Sequence, residues 1–112
     1  GDTSSAYARH FMYGSGSGSA VAGNNLSTQS GGYTSTTSGQ FGAQIIDILD
    51  YADTTKNKTS RMLTGFDNNG SGFFVFYSGL WRSTSAITSI KLYPASGNFA
   101  QYSHFALYGI KG

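Results

Sequence analysis

The chain has 112 residues, room for one domain with one modest core, because a domain of this size buries only about two-thirds of the surface its unfolded chain exposes. Charged residues are 11% of the sequence, against roughly 25% in an average soluble domain, and the net charge of +2 comes from scattered Lys and Arg, a balance that selects neither nucleic acid nor membrane. Cysteine is absent, which excludes disulfides and thiolate metal sites, and no apolar run approaches the roughly 20 residues that span a bilayer as a helix.

The acids are all Asp, with no Glu, while aromatic residues reach 15% and Gly numbers 16. Glu fills helix surfaces, whereas Ser, Thr, Tyr and Phe favour extended chain, so the composition is of a β type.

In chain order, Ala6 to Tyr13 sets Tyr7, Arg9, Phe11 and Tyr13 against Ala6, Ala8, His10 and Met12, the two-residue period of a strand. Neither face is clearly polar, so one is expected to pack on the core and the other to meet a partner. Gly14 to Ser19 reads as a flexible loop, and Ala20 to Ser30 as its polar continuation around Asn24 and Asn25. A short strand is expected around Tyr33 to Thr37, where β-branched threonines are flanked by glycines.

Phe41 to Tyr51 places Ile46 and Ile48 on one face and Ile45, Asp47 and Leu49 on the other. Helix competes with strand there, because the periodicity of so short an aliphatic run does not settle the question. Thr59 to Phe66 resumes an extended run after a polar turn, and Asp67 to Gly70 is a turn whose residues accept positive φ. Phe73 to Tyr77 is apolar on both faces and is expected at the centre of a sheet or in a subunit contact. Two further strands are expected near Thr88 to Tyr93 and His104 to Tyr108, separated by a break at Pro94 to Asn98. Several short strands without an amphipathic helix predict an all-β, antiparallel two-sheet β-sandwich or jelly roll.

Catalytic chemistry finds little support. A glycosidase would need two aspartates as its carboxylate pair, but on a strand Asp47 and Asp50 point to opposite faces and Asp53 falls in the turn beyond. Edge protection and turn formation account for these three. His10 and His104 are the only histidines, and the centre of Gly14-Ser15-Gly16-Ser17-Gly18 is glycine rather than the serine of a nucleophile elbow. The tract also lacks the Gly-Lys-Ser/Thr ending of a phosphate loop. Asp67 to Gly70 offers the oxygen ligands calcium prefers without the acidic twelfth position of a helix-loop-helix site. No catalytic, cofactor-binding or metal-binding residue is assigned.

The stretch Gly79 to Ile110 carries Gly79-Leu80-Trp81, Ser83 to Ile90, Ser96 to Ser103 and the ending Leu107-Tyr108-Gly109-Ile110. Together these resemble the carboxy-terminal β-sandwich domain of small bacteriophage virion surface proteins of the tail-fibre or virion structural type, especially those of marine phages. A weaker similarity covers Ile46 to Tyr51, where relatives carry an edge strand, and favours strand over helix there. Gly1 to Ser5 resembles the point in relatives just after an opening strand, which implies a single domain over 1–112 with its first strands absent or supplied by another segment.

The resemblance implies a non-enzymatic structural component of the virion surface, on a tail fibre or spike involved in host attachment. Its partners would be sister copies, as a homotrimer, with other virion proteins and a host surface glycan or protein. The alternatives are a head or collar decoration protein and a lectin-like carbohydrate-binding module. Aromatic rings that stack on sugars or anchor protein contacts supply the candidate surface contacts, namely Tyr77, Trp81, Tyr93 and Tyr108. Core packing competes for Trp81, whereas Tyr93 and Tyr108 alternate with Leu92 and Leu107 and are expected to be exposed.

Overall fold

The computed structural model describes residues 2–15, 19–29 and 31–110. These hold five strands and no helix: β1 (Tyr7–Gly14), β2 (Ser19–Leu26), β3 (Ala43–Ile48), β4 (Lys58–Asp67) and β5 (Gly72–Trp81). All pairings are antiparallel, in one sheet of order β2-β1-β5-β4-β3.

The run that is apolar on both faces, Phe73 to Tyr77, lies in β5 at the sheet centre, as its pattern predicts. β4 turns into β5 at the expected place. Asn69 and Gly70 take φ of 55° and 110°, and the Asp67 carboxylate accepts the Asn69 N–H at 2.7 Å, so the residue types that tolerate this backbone sit where it is required.

Strand alternation divides the sheet into two unlike faces. On one, Met62, Val75 and Tyr77 are buried, with Phe11, Tyr13 and Phe73 packed against them. The segment after β2 covers this face. Tyr33 stacks on Phe73 at 5.1 Å between ring centroids, and the Thr64 hydroxyl donates to the Tyr33 carbonyl. The Gln29 side chain lies so close to Gly79 that a Cβ there would stand 2.3 Å from it; glycine at 79 is what lets the cover approach.

The opposite face is open. Cross-strand register aligns Ile45 with Leu63, Leu63 with Phe76 and Phe76 with Met12, so four apolar side chains form one row over four strands, and all four are exposed.

Four expectations are corrected. Ser19–Leu26 is a strand paired with β1 rather than a polar loop. Its composition is weak for β structure, but it lies against the free edge of β1, where backbone hydrogen bonds do not depend on side-chain type. Residues 16–18 of the expected glycine-serine loop lie outside the described residues. The stretch 33–37 is irregular and serves as cover rather than as strand.

The two strands expected at 88–93 and 104–108 are not formed among the described residues. Alternation makes a segment able to enter a sheet, but a strand exists only where an edge pairs with it, and the outer edges of β2 and β3 take up neither segment. Among the described residues the expected second sheet is therefore not seen, and what lies over the buried face is largely irregular backbone.

Candidate functional site

The segment that bears the candidate aromatics leaves the sheet at Trp81, and a set of polar contacts fixes its root. Lys58, the first residue of β4, is 2% exposed. Its ammonium donates to the carbonyls of Asp53 and Lys56, each at 2.6 Å, and of Thr84 at 3.3 Å. One buried cation thereby ties the β3–β4 connection to the outgoing chain. Arg82 donates from its backbone and its guanidinium to the Ala6 carbonyl, and from its guanidinium also to that of Ser5. Ile87 donates its N–H to the Tyr51 carbonyl at 2.8 Å.

Trp81 is half-buried and its ring stacks on Tyr7 at 6.5 Å. Its indole N–H donates to the Asp2 carboxylate at 2.7 Å. Hydrogen bonds from Ser4, and then that from Trp81, hold the Asp2 carboxyl below the usual carboxylate range. Burial, followed by the nearby negative charge of Asp2, pushes the Tyr7 phenol up. Trp81 thus packs at the foot of the segment and holds the chain before β1.

Tyr77 is corrected outright. Its odd position on β5 points into the buried face, it is 2% exposed, its ring lies 5.0 Å from that of Phe11, and burial raises its phenol. It presents no surface to a partner. Tyr93 and Tyr108 are 54% and 83% exposed, and the Lys91 ammonium stands 5.8 Å from the Tyr93 ring centroid, within cation–π range. The structure does not bring the four candidates into one cluster: Tyr77 is in the core, Trp81 at the root, and Tyr93 and Tyr108 farther along the outgoing segment.

That segment is a display of apolar surface. Every residue from 88 to 110 is exposed except Pro94 and Ser103. Phe99 and Phe105 meet edge to face at 4.8 Å, and Tyr102, at a φ of 71°, projects from a turn closed by the Ser103 N–H on the Ala100 carbonyl. Aromatic rings, hydroxyls and amides in this form bind by stacking and hydrogen bonding.

The acidic residues around the β3–β4 connection are engaged in ion pairs. Asp47 accepts from Arg61 at 2.8 Å, and Lys56 lies 3.5 Å from Asp50 and 3.6 Å from Asp53. Hydrogen bonds from Thr55 lower the Asp53 carboxyl to about 2. Among the described residues, no three His or Asp side chains converge as a metal-binding group.

Two contributors escaped the sequence reading. Lys58 stands in a polar run that reads as a solvated turn, and nothing local marks it as buried. The open apolar row was legible only as the two-sided character of Phe73 to Tyr77; its continuation through Ile45, Leu63 and Met12 depends on register. Comparison with protein families, with curated proteins and with solved structures finds no match to this chain.

Proposed function

We propose that this chain is a non-enzymatic structural module of a bacteriophage virion surface, part of a tail fibre or spike that takes part in host attachment. Its copies associate with one another, as three chains in the assemblies that the resemblance of Gly79 to Ile110 implies, and its sandwich gains a second layer on assembly. The observation that carries the reading is the exposure of large apolar side chains along 88–110 and across the open sheet face. Apolar surface on this scale, with few charges, fits a chain that works by contact with other protein or glycan.

Adsorption tests the reading. Labelled protein incubated with phage-susceptible bacteria is expected to bind them and to slow phage attachment in proportion to its concentration. Binding to emptied capsids without binding to cells would move the module to the head or collar. Retention on a glycan array without competition against phage would make it a free lectin.

A further inference from the structure

We infer that the open face of the sheet, centred on Phe76, is the surface by which copies of this chain associate. The inference rests on the reading above and deepens it by naming the contact surface between copies; an assembly that persists in every face variant overturns the inference alone, whereas failure to adsorb to cells overturns the attachment reading alone.

Register carries the first step. Ile45, Leu63, Phe76 and Met12 stand side by side on β3, β4, β5 and β1, with Phe74 two residues from Phe76 on the same face. These five are between 41% and 65% exposed. Half-exposed side chains of this size present on the order of 500 Å² of apolar surface, near the upper end of what a monomer normally shows to water. With the adjoining polar residues the face approaches the ~800 Å² that each partner contributes to a standard interface.

Charge identifies the occupant. The next row across the sheet is Asp47, Arg61, Ser78 and His10, and its two permanent charges neutralise each other in the Asp47–Arg61 pair. Apart from the single carboxylate of Asp67 at the end of β4, the face carries no unpaired permanent charge, which gives no purchase to nucleic acid, an acidic peptide or anionic lipid. It suits an equally neutral apolar face, and a sister copy brings one. Two such faces would pack about 10 Å apart, as the layers of a sandwich do.

The exposed segment 88–110 is the competing surface on this chain. The sheet face is favoured because its side chains stand on hydrogen-bonded strands, so little ordering is lost on contact, whereas the segment forms no ladder.

The test is molar mass by sedimentation or light scattering across a micromolar concentration series. Unsubstituted protein is expected as an assembly of two or more chains. Phe76→Lys and Leu63→Lys should each shift it to single chains while keeping the β-type circular dichroism, and Met12→Lys and Ile45→Lys, outside the β4–β5 centre, repeat the test should the first pair fail to fold. Because the chain has no cysteine, Phe76→Cys also provides a single thiol that should cross-link copies through a short bis-maleimide. A single-chain mass at every concentration overturns the inference. So does an assembly that persists in all folded face variants, or one lost only on Leu107→Lys, which would place the contact on the outgoing segment.

Discussion

Replacing Lys58 by methionine tests how the outgoing segment is held. Methionine keeps the length and much of the apolar stem but removes the donor shared by the carbonyls of Asp53, Lys56 and Thr84. A hydrogen bond to a charged group is worth ~1.5–3 kcal/mol net, and the two 2.6 Å bonds dominate here. Relief from burying the ammonium and the apolar gain of the thioether offset part of the loss, leaving about 3 kcal/mol of destabilisation. With a urea dependence of about 1.5 kcal/mol per molar, the unfolding midpoint should fall by about 2 M. Trypsin should also cut faster after Arg82, since the Thr84 anchor is gone.

Lys56→Met is the internal reference. That lysine is exposed and pairs with Asp50 and Asp53 at 3.5 and 3.6 Å, so its loss should cost no more than about 0.5 kcal/mol. Midpoints for the two variants within about 0.3 M of each other would refute the role assigned to Lys58.

Three further outcomes are expected. Val75→Ala, at a position with 0% exposure, should lower stability by about 2 kcal/mol in thermal or urea melts, while Tyr108→Ala should stay within about 0.5 kcal/mol. The folded Asp53 carboxyl, at about 2 against an ordinary 3.8, adds stability that is complete above the ordinary value and is lost as pH falls through about 2. Thr55→Val should move its carbon-13 carboxyl titration up toward 3.8, and an unmoved midpoint would remove the hydroxyl as its cause. The one tryptophan should report protonation of Asp2 as an emission change with a midpoint below 3.8, and Asp2→Asn should abolish that step.

Strands β1 and β4 were legible because their alternation coincides with burial on one face, with Phe11 and Met62 where a two-residue period places core residues; β5 was legible as an apolar run, and β3, where the short aliphatic run left helix and strand open, only through the resemblance of Ile46 to Tyr51. The hairpin at Asp67 to Gly70 was legible because its backbone demands particular residue types. β2 was not, since a strand recruited by the edge of β1 needs no apolar pattern of its own. Residues 88–93 and 104–108 were misread for the converse reason, having the pattern without an edge to join. Tyr77 was misplaced because a strand apolar on both faces does not show which face is covered.

Sequence by itself determined the β class, the central place of Phe73 to Tyr77, the turn chemistry and the low charge, because these follow from local backbone preference and composition. Tertiary structure alone decided which face of the sheet is covered, that Lys58 is buried among carbonyls, and that residues 82–110 lie outside the sheet. Those outcomes depend on contacts between residues distant in the chain, and register converts an ambiguous alternation into one buried face and one open face.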